Sequence, residues 1–256
     1  MDNRAKAVIY YLFHSGFAVE YKDYLLIFDY YRMPDNAALD GLAEKELINK
    51  IVEAKHVFVF VSHSHYDHFN PKVFDWKRYN SSLTYILSSD VKDAFSQAEK
   101  EAACLYLSPG DFIEKNGILV RAYGSTDLGV SFLVETGDLS IFHAGDLNWW
   151  HWADESTEQE LMEEEKKFKD EVKKIEGKKI DVMFFPVDPR LGEHYWLGGA
   201  YMLEKFRPAL FVPMHFGENN YITERFADKM MHLGVPVLKI EHQGQRYEFA
   251  LSSKNR

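Results

Sequence analysis

One short stretch of the chain combines a strand-like run with a dense cluster of imidazoles. Residues 57–62 read VFVFVS, and His63, His65, Asp67 and His68 follow within six positions. Residues two apart on an extended chain point to the same side, so the first two histidines are placed to share one metal ion. Neutral imidazole and carboxylate suit zinc, and they also suit iron and manganese. The stretch therefore predicts a buried strand that ends in a metal site.

The rest of the chain alternates between strand-like and helix-like segments. Strands are predicted near 7–13, 17–21, 24–29, 57–62, 84–88, 104–107, 131–135 and 139–143, and within 117–124, 179–188 and 209–217. Turns are expected at Ser15-Gly16 and Lys22-Asp23, and a hairpin at 136–138. Strands mixed with helices indicate an α/β class. The length of 256 residues, with no low-complexity linker, favours one domain over 1–256.

Helical periodicity is present in three segments. The first two lie within 37–54 and near 90–101, and the third lies within the highly charged stretch 154–179. The first segment repeats its apolar residues at Leu42, Leu47, Ile48, Ile51 and Val52. The third repeats them at Leu161, Met162, Phe168, Val172 and Ile175. The third pattern predicts a solvated amphipathic helix with one face on the core.

Composition narrows the class of partner. The formal net charge of −10 disfavours a nucleic acid substrate, and we expect a small molecule instead. No run of 18 apolar residues is present, so no transmembrane helix is expected. The start of the chain lacks a cleavage pattern, and the one cysteine, Cys104, predicts a buried structural thiol rather than a disulfide. We expect a cytoplasmic protein, and a homo-oligomer is left open.

Two further strand-like runs end in candidate ligands. The run 139–143 ends at His143, with Asp146 three residues on, and a later run ends at His215. Active sites of α/β sheets lie at the carboxyl ends of strands, so these side chains are expected to converge with the cluster at 63–68. Taken alone, Asp146 is equally typical of a turn or helix cap, and His215 is more typical of a core histidine than of a ligand.

Other polar residues beside strand ends are candidates for substrate binding or for support of the ligands. His14, before a Ser-Gly turn, is a proton donor, a substrate contact or an ordinary turn histidine. Arg190 is placed to hold an anionic substrate group, or to make a turn contact with Asp188. Three tryptophans that follow Asp146 are expected either to line a pocket or to pack in the core. They are Trp149, Trp150 and Trp152.

At this point the chain resembles the metallo-β-lactamase superfamily. The resemblance rests on the HxHxDH motif at 63–68, on Gly145-Asp146 and on His215. The opening segment YYLFHSGFAVEYKDYLLIFDYY is similar to the start of the lactonase-like branch, in which a strand ends in aspartate. The resemblance implies an αββα four-layer sandwich: two mixed sheets face to face, helices outside and metals at one edge.

The resemblance also implies the ligands and the chemistry. One ion is expected on His63 and His65, the other on Asp67, His68 and His215, with the Gly-Asp carboxylate bridging. The implied protein is a hydrolase that uses metal-activated hydroxide on a small ester, lactone or phosphoester. Asp67 would serve as ligand or proton acceptor. A nuclease or phosphodiesterase, a di-iron redox protein and a non-catalytic member are the alternatives.

One position departs from the family pattern. Ser125 stands where the family usually has a histidine ligand of the first metal. Asp127, His143 or water would then complete that site, or the protein works with one ion. His143 is also a candidate to support the ligands from behind. Zinc is expected, as one or two ions, and a carboxylate-richer site also favours manganese or iron.

Overall fold

The computed structural model describes residues 5–34, 41–94 and 104–251, in two compact units. The first unit comprises residues 1–106 and 241–256, and the second comprises residues 107–240. Each unit is built on one sheet. The single domain over 1–256 stays a prediction, because the division does not test whether the units fold separately.

The strands and helices follow in chain order. The strands are β1 (Lys6–Phe13), β2 (Gly16–Tyr21), β3 (Tyr24–Phe28), β4 (His56–Val61), β5 (Thr84–Ser88), β6 (Cys104–Leu107), β7 (Phe112–Lys115), β8 (Ile118–Tyr123), β9 (Ser131–Glu135), β10 (Ser140–His143), β11 (Val182–Pro186), β12 (Leu210–Met214) and β13 (Arg246–Ala250). The α-helices are α1 (Glu44–Glu53), α2 (Val91–Ala94), α3 (Glu158–Lys173), α4 (Leu197–Phe206) and α5 (Tyr221–Met230). Short 3₁₀ helices span Pro71–Arg78, Pro189–His194 and Met231–Leu233.

The first unit carries a seven-stranded mixed sheet in the order β13-β1-β2-β3-β4-β5-β6. The first three strands form an antiparallel meander, and β3, β4 and β5 run parallel. The meander depends on Gly16, since a Cβ there would lie 2.8 Å from the Asp29 carbonyl oxygen. Glycine therefore allows β2 to start directly beside the end of β3, where the polar cluster begins.

β4 is buried on both faces, as expected of a central parallel strand. Its valines belong to an apolar cluster with Leu47 and Ile51 of α1, which confirms the predicted helix and most of its buried face. Val52 is an exception, because its side chain is 54% exposed. On the opposite face of the sheet, Phe60 stacks on Phe28 with ring centroids 4.6 Å apart.

The second unit carries a six-stranded mixed sheet in the order β12-β11-β10-β9-β8-β7. The predicted hairpin is confirmed, with Glu135 of β9 opposite Ser140 of β10 in antiparallel register. β10, β11 and β12 run parallel, so their carboxyl ends lie at one edge of this sheet. The predicted charged helix is α3, and it begins with a capping box formed by Thr157 and Glu160.

Two sequence predictions need correction. Cys104 is half-buried rather than buried, because it lies on β6, the edge strand of the first sheet. Met162 was assigned to the buried face of α3, but its side chain is 62% exposed.

The helix predicted near 90–101 is observed as α2, and residues 95–103 lie outside the described residues. Within the described ranges, no helix has the length and apolar character needed to cross a membrane.

The packing of α3 gives a stability prediction. Phe168 is fully buried on this helix, so Phe168→Ala is expected to lower the free energy of unfolding by about 3–5 kcal/mol. Met162→Ala on the exposed face is the matched control and is expected to change it by less than about 0.5 kcal/mol. Urea denaturation followed by circular dichroism measures both. Equal effects of the two substitutions would contradict the assigned face.

Candidate metal centre

The histidine cluster of the first unit begins where β4 ends. His63 and His68 are fully buried, whereas His65 is exposed. His63 Nε2 lies 3.0 Å from His65 Nδ1, and the rings of His63 and His68 are 4.1 Å apart between centroids. A turn in which the amide of His68 donates to the His65 carbonyl oxygen brings the last imidazole back beside the first. The three predicted imidazoles therefore form one compact group.

A buried carboxylate at the end of β3 holds this group in place. Asp29 Oδ1 accepts a hydrogen bond from the Ser62 amide at 2.8 Å, and Oδ2 accepts from the Ser62 hydroxyl at 2.6 Å. Asp29 Oδ2 also lies 2.8 Å from Nδ1 of His68. A proton fixed on Nδ1 leaves the lone pair on Nε2, which makes Nε2 the ligand atom. The sequence showed a strand ending in aspartate, but it assigned no role to this residue.

His14 lies in the same group as the HxHxDH residues. Its Nε2 is 3.5 Å from Oδ2 of Asp67, and its backbone amide donates to the Tyr11 hydroxyl at 2.9 Å. His14, Asp67 and His68 each offer a metal-ligand atom, and these atoms lie within 4.8 Å of one another. His14 is thus placed with the ligands as well as with the candidate proton acceptor.

The second unit holds a matching pair of ligands. His215 directly follows β12, and Asp146 lies three residues beyond the end of β10. Both side chains are buried, and His215 Nε2 lies 3.3 Å from Asp146 Oδ1. Trp150 packs edge-on against the His215 ring, with centroids 5.5 Å apart. The parallel strands therefore bring together the two residues that the sequence predicted to converge from this half of the chain.

A second buried carboxylate orients His215. Asp188 Oδ2 lies 3.0 Å from His215 Nδ1, and Arg190 bonds to both oxygens of Asp188 at 2.5–3.0 Å. Burial raises the pKa of Asp188. The hydrogen bonds from His215 and Arg190 together have the larger, opposite effect, so the pKa of Asp188 is lowered to about 2. Arg190 therefore makes the turn contact with Asp188. Anion binding by the same guanidinium stays a prediction.

Of the remaining predicted residues, one supports the turn that carries a ligand and another is exposed at the surface. His143 is fully buried, and its Nδ1 accepts a hydrogen bond from the Gly145 amide at 3.2 Å, so it supports the turn that carries Asp146. Asp127 is exposed, and it belongs to neither of the ligand groups found in the described part of the chain. Its neighbour Thr126, which sequence reasoning missed, bonds to the carbonyl oxygen of Asp146 at 3.1 Å.

The tryptophans after Asp146 mainly pack against other side chains. Trp150 is buried against His215, and Trp149 stacks on Phe168 of α3 at 6.2 Å. Trp152 stacks on Trp150 at 5.9 Å and also lines a cavity. Core packing thus accounts for two of the three, as the sequence favoured.

Comparison with known proteins identifies the fold. No family model matches the sequence, and no curated protein matches it. A metallo hydrolase from the hyperthermophilic archaeon Ignicoccus hospitalis is 15% identical with a TM-score of 0.62, over 96% of this chain and 100% of that one. A metallo-β-lactamase-fold protein from Bacillus subtilis is 13% identical with a TM-score of 0.60, over 96% and 100%.

A third solved structure with the same likeness comes from a redox enzyme. A diiron β-hydroxylase from Streptomyces venezuelae is 10% identical with a TM-score of 0.63, over 96% of this chain and 54% of that one. This chain therefore spans about half the length of that protein. Together, the likenesses show that the chain has the metallo-β-lactamase fold, the α/β fold with two mixed sheets that the sequence resemblance implied.

The role of Asp29 gives a prediction for metal affinity. Asn tolerates the left-handed φ of 43° at this position, but its NH₂ group cannot accept the hydrogen bonds that converge on the carboxylate. Asp29→Asn is therefore expected to weaken Zn²⁺ binding by about 10–100-fold in calorimetric titration. Asp23→Asn, at the exposed turn before β3, is the matched control. Unchanged affinity in Asp29→Asn would contradict the assigned role.

The role of Asp188 is expected to show in the protonation of His215 in metal-free protein. With the carboxylate present, the proton is held on Nδ1; in Asp188→Asn that preference is lost, and the Nε2–H tautomer becomes populated. Long-range ¹⁵N NMR of the His215 ring distinguishes the two forms. Asp228→Asn, on the exposed face of α5, is expected to leave the spectrum unchanged. An Nδ1–H tautomer retained in Asp188→Asn would count against the assignment.

Proposed function

We propose that the protein is a metal-dependent hydrolase that acts on a small ester, lactone or phosphoester. The observation that carries the proposal is a repeated arrangement at strand ends. In each unit, a buried aspartate bonds to Nδ1 of a histidine, and a further carboxylate lies beside the ligand atoms. The fold supports the same assignment, because a solved structure with this fold is named a metallo hydrolase.

The donor set fits a divalent ion. Asp29 and Asp188 bond to Nδ1 of His68 and of His215, which makes Nε2 the ligand atom of each ring, and neutral imidazole with carboxylate suits zinc. We propose the ligand sets that the family resemblance implies. One ion would be held by His63 and His65, the other by Asp67, His68 and His215, and Asp146 would bridge. Zinc is proposed, as one or two ions, with manganese or iron as alternatives because of the carboxylates.

The protein side chains beside the ligands would move protons. A divalent ion, when bound, lowers the pKa of its water toward about 7 and polarises a carbonyl or phosphoryl oxygen. Asp67 is half-buried and would accept a proton, and His14, whose Nε2 lies 3.5 Å from Asp67 Oδ2, would donate one to a leaving group or bind substrate. His14 has a left-handed backbone, with a φ of 57°.

A di-iron redox activity is the second candidate. It is favoured by the fold likeness to a diiron β-hydroxylase and by the carboxylate content of the ligand set. The net charge of −10 counts against a nuclease, and Ser125 is the main argument for a non-catalytic protein. The small-molecule substrate, the cytoplasmic location and the oligomeric state stay predictions.

Substitution of His68 tests the hydrolase proposal. Protein purified without chelator is expected to contain zinc and to cleave p-nitrophenyl acetate, dihydrocoumarin or bis(p-nitrophenyl) phosphate. In His68→Ala, kcat/KM for the cleaved substrate is expected to fall by more than about 100-fold, since losing a ligand costs more than losing its outer partner. His232→Ala, at an exposed histidine, is the control. Turnover undiminished in His68→Ala would remove the proposal, and bound iron with oxygen consumption would favour the redox alternative.

A further inference from the structure

A second pair of histidines lies in a cavity of the second unit, apart from the ligands described above. His151 belongs to the segment between β10 and α3, and His194 ends the 3₁₀ helix Pro189–His194. Their ring centroids are 4.3 Å apart with an angle of 53° between the planes. The cavity has a volume of about 220 Å³, and its walls also include Asp154, Glu155 and Glu193.

The spacing of this pair matches that of the candidate metal ligands in the first unit. His63 and His65 have ring centroids 4.5 Å apart, and His63 and His68 have centroids 4.1 Å apart. At this separation the two imidazole rings are close enough to contact one ion. His151 Nδ1 is enclosed by protein, and it has no hydrogen-bond partner among the described residues.

The backbone around His194 holds the pair in position. The 3₁₀ helix is interrupted at Gly192, whose φ of 57° and ψ of −126° suit glycine and turn the chain two residues before His194. Trp196 Nε1 donates to the Glu193 carbonyl oxygen at 2.9 Å, and the side chain of Asp188 accepts from the Arg190 amide at the start of the helix. The segment that carries His194 is therefore fixed at both ends.

The electrostatics of the cavity favour a cation. Burial lowers the pKa of His151, and the neighbouring His194 lowers it further. Glu165 only partly opposes these effects. The lowered pKa favours the neutral imidazole, which is the form that binds metal. Arg225 neutralises Glu193 through bonds of 3.1 and 3.2 Å. Asp154 and Glu155 add negative charge to the cavity wall. Arg190 also lines the cavity, and its guanidinium is paired with Asp188.

We propose that His151 and His194 bind a Zn²⁺ ion at a site separate from the candidate metal centre. Imidazole nitrogens suit zinc, and water would complete the coordination of the ion. The ion would link the segment that follows Asp146 to the segment that follows Asp188. It would therefore clamp the two segments of the second unit that carry residues of the proposed centre.

Zinc stoichiometry of the full chain tests this site. After equilibrium dialysis against Zn²⁺, His151→Ala and His194→Ala are each expected to bind one ion per chain fewer than the wild type, by elemental analysis. His232→Ala is expected to match the wild type, because this exposed histidine lies on another 3₁₀ helix. Equal zinc content in all four proteins would overturn the proposal.

Histidine footprinting gives a second readout that needs no substitution. In wild-type protein treated with diethyl pyrocarbonate, Zn²⁺ is expected to protect His151 and His194 to the same extent, as measured by mass spectrometry. Modification of either residue that is unaffected by zinc would overturn the site even if a variant misfolded. The outcome is separable from the hydrolase proposal, because His68→Ala is expected to leave the protection of His151 and His194 intact.

Discussion

The candidate centre depends on hydrogen bonds between buried carboxylates and imidazoles. Asp29 and Asp188 are each 1% exposed, and each bonds to Nδ1 of a histidine that directly follows or closely follows a strand. A buried carboxylate without partners would be costly, so each aspartate requires its donors as much as the histidine requires its acceptor. The consequence is a fixed tautomer in each ring, with Nε2 as the ligand atom.

The backbone at these strand ends is also unusual. His14, Asp29 and His215 each directly follow a strand, and each has a positive φ, of 57°, 43° and 65°. Residues other than glycine rarely adopt this conformation, and its energetic cost is characteristic of functional sites. The turn it produces redirects the chain immediately after the strand. Three strands are thus each followed by a residue in the left-handed conformation, which carries a polar side chain at the end of the strand.

The sequence predicted those parts of the fold and site that are local. β4 and the HxHxDH residues were predicted because a buried run and its ligands are adjacent in the chain. The role of Asp29 was missed, and Asp188 was predicted as a possible support or substrate contact without its partner, because their hydrogen bonds to His68 and His215 span 39 and 27 residues.

Three of the elements that sequence reasoning missed, β7, β13 and α4, have weak patterns for identifiable reasons. β7 and β13 are mostly exposed edge strands without a continuous apolar run. α4 begins with LGGA, whose small residues pack closely in the unit: a Cβ on Gly199 would lie 2.6 Å from the Phe226 ring. Helical periodicity also misassigned Val52 and Met162, because spacing alone does not fix the width of a buried face.

The central claim is that the two histidines oriented by buried carboxylates, His68 and His215, bind metal through Nε2. A crystal grown with Zn²⁺ and measured at the zinc absorption edge tests it most directly. The account predicts anomalous density within about 2.0–2.1 Å of Nε2 of His68 and of Nε2 of His215. A map without density at these nitrogens would contradict it.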